Sequence, residues 1–92
     1  MSLLRRRTPV QLVTLVTRTG CHLCELAQPV VEQAAADAGV RFEVLDVDAD
    51  LAPMTDAASW SDKVPVVLLD GVEHAYWQVD RKALRRALGL RV

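Results

Sequence analysis

A chain of 92 residues has room for one domain and one core, since domains usually run to about 100–150 residues. Apolar residues make up 51% and charged residues 25%, which excludes a disordered chain, and no apolar run approaches the ~20 residues of a membrane-spanning helix. A net charge of −1 argues against a nucleic-acid binder, a class whose domains are typically strongly basic.

The chain starts with a basic cluster, Arg5–Arg7, of the kind that precedes a secretion signal. The apolar stretch behind it, Val10–Val16, is interrupted by Gln11 and Thr14, and no small-x-small cleavage site follows. Residues 1–8 therefore read as a flexible basic leader, residues 9–92 as a single domain, and the protein as cytoplasmic.

Val10–Thr17, rich in Val, Leu and Thr and closed by Thr19-Gly20, predicts a buried strand. From Leu23 the period lengthens. Leu23, Leu26, Ala27, Val30, Val31, Ala34, Ala35 and Ala38 form the inward stripe of an amphipathic helix that Gly39 stops. Pro29 inside it has no N–H for the Glu25 carbonyl, so a kink is expected. Arg41–Val47 alternates again as a second strand. Asp48 or Asp50 then caps a short helix that takes Pro53 in its first turn and runs towards Trp60. Val64–Leu69 is the third strand, Asp70-Gly71 a two-residue hairpin turn and Val72–Trp77 the fourth strand. Asp80 caps a last helix that turns Ala83, Leu84, Ala87 and Leu88 inward and stops at Gly89. The order β-α-β-α-β-β-α predicts an α/β fold. Its four-stranded mixed sheet, parallel in the first pair and antiparallel in the hairpin, is flanked by three helices.

The charges segregate along this order. Residues 8–80 hold all 12 acids but only Arg18, Arg41 and Lys63 as bases, while Arg81, Lys82, Arg85, Arg86 and Arg91 crowd the end. A solvated helix face accounts for the pattern. The sharper reading is a docking patch for an acidic partner, whose binding would weaken with salt.

The two cysteines, Cys21 and Cys24, enclose His22 and Leu23 where the first strand gives way to the first helix. Wound into a helical turn, positions i and i+3 bring both sulfurs to one face, close enough for a disulfide. Cys21 falls at the helix N-terminus, where unpaired N–H groups and the dipole favour an anion. A thiolate there has its pKa drawn from ~8.5 into a range of roughly 3.5–7.5. His22, if protonated, draws it down further, and Glu25 opposes. Cys21 is thus the candidate nucleophile and Cys24, one turn deeper, the candidate resolving thiol. Other readings are inert packed thiols, a structural disulfide and a metal site. The last wants about four ligands, whereas one Cys pair with His22 inside it and His74 far along the chain supplies too few, so no metal is expected.

At this point the sequence resembles the thioredoxin-fold oxidoreductases, and most closely the short glutaredoxin-like proteins of bacteria. Beyond the Cys-His-Leu-Cys motif, Pro29 falls five residues after Cys24, where thioredoxins carry a kinking proline. Val64-Pro65 is similar to the Val-Pro of glutaredoxins, whose proline is cis and faces the active-site disulfide. Arg18 matches a basic position near their glutathione site. The resemblance spans Val10 to Leu90 and implies a thioredoxin-like fold, with Val64 offering its backbone to an extended substrate beside Cys21 and Pro65 shaping the site. It also implies Arg18 and Asp80 as substrate-binding residues, with Lys63 beside Arg18 as a further attractor of carboxylates, while the place of His22 between the two thiols makes it a tuning candidate.

The departures are as specific. His22 and Leu23 stand where an aromatic residue is usual, and Lys63 replaces a threonine. Tyr76-Trp77-Gln78-Val79-Asp80 lacks the Gly-Gly pair that holds a glutathione carboxylate in glutaredoxins. Asp80 serves equally as a plain N-cap. Glutathione is then a weakened candidate as substrate or reductant, and no tightly bound cofactor is expected. Trp60 and Trp77 read as packing residues and His74 as a surface residue.

The function expected is a monomeric thiol–disulfide oxidoreductase acting on a disulfide-containing protein or low-molecular-weight thiol, with no nucleic acid or membrane partner. The rival is a redox-responsive interaction module that does not turn over. A metal- or iron–sulfur-binding protein is a third reading.

Overall fold

The computed structural model describes residues 9–50 and 63–91. In chain order these form β1 (Leu12–Thr17), α1 (His22–Ala38), β2 (Arg41–Asp46), β3 (Val66–Leu69), β4 (Val72–Tyr76) and α2 (Arg81–Ala87). The leader expected over residues 1–8 and the short helix expected to pass Pro53 towards Trp60, with Trp60 itself, lie outside the described residues. Two helices are therefore seen among the described residues where three were expected.

The four strands make one mixed sheet in the order β2-β1-β3-β4. β1 pairs parallel with β2, Leu15 opposite Val44, and antiparallel with β3, Leu15 opposite Val67. β3 and β4 form the hairpin, with an irregular register between Val67 and Leu68. Strand alternation sorts the core. Val13, Leu15 and Val67 face Val31, Ala34 and Ala35 of α1 and Leu84 of α2, while Val16, Val66 and Leu68 meet Val47 on the other face. Thr14, buried on β1, donates its hydroxyl to Glu43 Oε2 at 2.8 Å, so its polar atom is satisfied.

Element ends depart from expectation for identifiable reasons. β1 begins at Leu12 rather than Val10 because the Gln11 and Leu12 N–H groups donate to the Asp70 carboxylate at 3.1 and 2.9 Å. Asp70 takes φ 51° in the hairpin turn, and its own N–H returns to the Leu12 carbonyl at 2.9 Å. β3 begins after Pro65, which has no N–H for a ladder. β4 ends at Tyr76 because Trp77 leaves extended backbone for φ 66°. α1 runs unbroken through Pro29 and closes at Gly39, where φ 71° lets the chain turn back so that Val40 N–H reaches the Ala35 carbonyl at 3.0 Å. The helix expected to be capped by Asp48 or Asp50 lies outside the described residues. In the turn after β2, Asp46 Oδ1 accepts the N–H groups of Asp48 and Ala49 at 2.8 and 2.9 Å, and Asp50 Oδ2 accepts the Asp46 N–H at 2.8 Å.

Candidate functional site

Cys21 is the residue from which α1 starts. Its backbone is extended (φ −89°, ψ 108°), its N–H donates to the Arg18 carbonyl at 3.1 Å, and its carbonyl accepts the Glu25 N–H at 3.3 Å. In the manner of an N-cap side chain, Cys21 Sγ accepts the Cys24 N–H at 3.1 Å. Cys21 and Cys24 are joined by a disulfide, with Cα atoms 5.3 Å apart. Cys21 is half-buried, whereas Cys24 is 4% exposed. One residue of the bridge meets the surface and the other backs onto the core.

Two dissimilar surfaces flank the bridge. On one side both cysteines share a polar pocket with Arg18, Thr19, Gln28 and Asp46. Hydrogen bonds from the backbone of Ala49 and Asp48, with a further one from the Thr19 hydroxyl at 3.1 Å, hold the Asp46 carboxyl below its ordinary pKa. Arg18 lies in this pocket, its Nε 3.4 Å from Asp48 Oδ2. His22 is exposed, with Nδ1 3.8 Å from Glu25 Oε1.

On the other side lies an apolar groove of about 290 Å³ between Leu23, Leu26 and Val30 of α1 and Trp77 and Val79 after β4. It shares Leu23 and Trp77 with a wider depression reaching Val64 and Tyr76. Here the sequence reading needs correcting twice. Leu23 and Leu26, expected inward, are 48% and 58% exposed, because the face of α1 that meets the sheet is a narrow strip of Cys24, Ala27, Val31, Ala34 and Ala35. Trp77, expected to pack, is 54% exposed. Its N–H donates to the carbonyls of Lys63 and Pro65 at 3.0 and 2.9 Å, which ties it to the cis Val64-Pro65 peptide.

Of the residues expected to bind substrate, Arg18 lines the polar pocket with both cysteines and Val64 the depression beside Trp77, while Lys63 and Asp80 make local contacts. Lys63 Nζ lies 3.8 Å from Glu73 Oε1 and 4.8 Å from the centroid of the Tyr76 ring. Asp80 is the N-cap of α2, its Oδ1 accepting from Lys82 and Ala83 at 2.9 and 3.2 Å. The N–H groups of Trp77 and Gln78 donate to carbonyls of the chain itself. Where glutaredoxins hold a glutathione carboxylate, this segment spends those two donors internally.

The basic end of the chain forms a separate feature. Arg81, Lys82, Arg85 and Arg91 line a cleft of about 210 Å³. Arg85 pairs there with Asp37 in the last turn of α1. At 1.5 Å per residue, that turn lies roughly 20–25 Å along the helix from the disulfide.

The sheet order and the helix that opens on the cysteine pair define a thioredoxin-like protein. Thioredoxin 1 from Thermosipho africanus has this fold with a TM-score of 0.60 at 20% identity, over 86% of this chain and 96% of that one. An X-ray structure of a structural-genomics target from X. campestris is similar at 32% identity and a TM-score of 0.62, over 84% of this chain and 95% of the other. Within that class the chain belongs to the glutaredoxin-like domain family (DUF836), whose profile matches residues 12–89. Uncharacterised proteins of Mycobacterium tuberculosis and Mycobacterium bovis are 39% identical over 77 residues, covering 79% of this chain and 77% of theirs.

Proposed function

We propose that the protein is a thiol–disulfide oxidoreductase in which Cys21 is the nucleophile and Cys24 the resolving thiol. The observation that carries this reading is the N-cap position of Cys21. Its sulfur accepts a helix N–H, so reduction would leave a thiolate facing a donor and the positive end of a helix.

In the reduced protein the Cys21 thiolate attacks one sulfur of a substrate disulfide and expels the other as a thiolate, which takes a proton from water. Cys24, deprotonated, then attacks Cys21 Sγ, releases the second substrate thiolate and closes the Cys21–Cys24 bridge. The substrate disulfide gains two electrons and the protein dithiol loses them. An external dithiol of lower potential reopens the bridge. The burial of Cys24 favours this order, since the half-buried partner is the one an incoming disulfide reaches. The protein is proposed to act as a cytoplasmic monomer, without a tightly bound cofactor, on a disulfide in a protein or small thiol.

Steady-state reduction of insulin disulfides with dithiothreitol as reductant tests this. Wild type should turn over, Cys21→Ser should be inactive, and Cys24→Ser should accumulate a mixed disulfide on Cys21. Oxidation of one equivalent without turnover would instead support a redox-responsive interaction module. The four-cation cleft at Arg81, Lys82, Arg85 and Arg91 favours that second reading. An acidic partner held there should dissociate as salt is raised.

A further inference from the structure

We propose that the cleft between Arg81, Lys82, Arg85 and Arg91 is a binding site for a small phosphate-bearing anion. It stands beside the last turn of α1, at the other end of that helix from the disulfide. The site does not depend on whether the cysteine pair turns over a substrate.

The charges of α2 work against the helix that carries them. Arg81 with Arg85, and Lys82 with Arg86, are like pairs at i and i+4, a spacing at which like charges destabilise a helix. The first turn of α2 contains no acid to offset them. Asp80, the N-cap, spends its Oδ1 on the backbone N–H groups of Lys82 and Ala83. Asp37 pairs with Arg85, whereas Arg81, Lys82 and Arg91 form no ion pair among the described residues. Three unanswered cations around one cleft are a local conflict in the fold, and such conflicts gather at functional sites. A bound anion removes this one.

The chain fold assembles the cleft. Gly89, at φ 83°, turns the backbone so that the Leu90 N–H reaches the Arg85 carbonyl at 2.8 Å, and Arg91 joins the cations of α2. The Arg85 side chain is 18% exposed and held by Asp37 at 2.7 Å, so one guanidinium is fixed before a ligand arrives. Asp37 engages its Nη1 and leaves further donors of the fork to spare.

Size and lining select the occupant. A space of about 210 Å³ takes a compact anion. Among the described residues its lining has no apolar or aromatic side chain, the kind that anchors a polypeptide partner. A phosphate group brings up to two charges and three acceptor oxygens to one point, which suits guanidinium forks. A run of carboxylates spreads the same charge along a chain.

Calorimetric titration with sodium pyrophosphate provides the test, with ionic strength held constant so that general screening cancels. Wild type should bind pyrophosphate, and its melting temperature should rise with the ligand concentration. Arg81→Gln and Lys82→Gln should each weaken binding by up to about fivefold, the worth of an exposed charge pair, and the double variant should lose more than either. Arg86→Gln removes the same charge from the same helix but outside the cleft, so it should bind as wild type does. Thermal melting verifies that each variant is folded. Hexaglutamate stands in for the acidic partner of the interaction-module reading and should bind more weakly than pyrophosphate. A phosphoserine peptide should bind no tighter than free phosphoserine. Absence of pyrophosphate binding to wild type overturns the proposal, as does an equal loss in Arg86→Gln. Hexaglutamate that outbinds pyrophosphate, or a phosphoserine peptide that outbinds phosphoserine, assigns the cleft to a polypeptide and overturns it too.

Discussion

Arg85 Nη1 donates to Asp37 Oδ2 at 2.7 Å, fastening the last turn of α1 to α2 across 48 positions of sequence. An acid at a helix C-terminus opposes the dipole, and Arg85 answers it. The guanidinium hydrogen bond first, and then one from Gln33 Nε2 at 2.8 Å, hold the Asp37 carboxyl below its ordinary value of 3.8. A carboxyl depressed in the folded state stabilises above its unfolded pKa, and that contribution fades as pH falls through the folded one. Asp37→Asn should therefore melt a few degrees below wild type at pH 7. The gap should narrow below about pH 4 and close once Asp37 is protonated in the folded protein. Melting curves from pH 7 to pH 2 check this, and a constant gap would rule out the ionic origin.

Cys21 at the mouth of α1 should be the more reactive thiol of the reduced protein. Its rate of alkylation by iodoacetamide should rise with a midpoint below ~7.5, against ~8.5 for an unstructured cysteine. Cys24 should be modified far more slowly. Mass-resolved labelling across a pH series reads both rates. A Cys21 midpoint near that of a free peptide thiol would remove the basis for its role as nucleophile.

Leu84 is the one fully buried residue of α2 and joins the cluster of Val31, Ala34 and Val67. Truncation leaves a cavity between helix and sheet, so Leu84→Ala should cost about 2–5 kcal/mol in denaturant unfolding. The native state of such a domain is worth only about 5–15 kcal/mol. A loss under about 1 kcal/mol would mean that α2 repacks without it.

The strands, both described helices and the cysteine pair were legible because each rests on local pattern. Alternation in Arg41–Asp46, the Asp70-Gly71 turn and Gly39 after a helical stripe each name their element within a few residues. The apolar groove was not legible. A stripe of Leu23, Leu26 and Val30 has the same period whether it faces a sheet or borders a groove. How much of it is covered depends on what the sheet places opposite, which helical periodicity does not contain. Trp77 was misjudged similarly, since a tryptophan at the end of a strand reads as packing until its backbone is seen to turn left-handed. A cue was present in the missing Gly-Gly pair, which marks the same segment as a place where the chain goes its own way. The polar ring around Asp46 and the Asp37–Arg85 tie gave no signal, because each joins charges that come together only through the fold.

The grip of Asp70 on Gln11 and Leu12 bears on how the molecule can be modified. A hairpin tip is ordinarily where a tag, a grafted epitope or new chain ends are best tolerated. This tip instead doubles as a latch on the leading edge of the strand that occupies the middle of the sheet, so lengthening it would loosen the sheet from within. Reporters are better placed at residue 91, beyond α2, than at the exposed-looking corner.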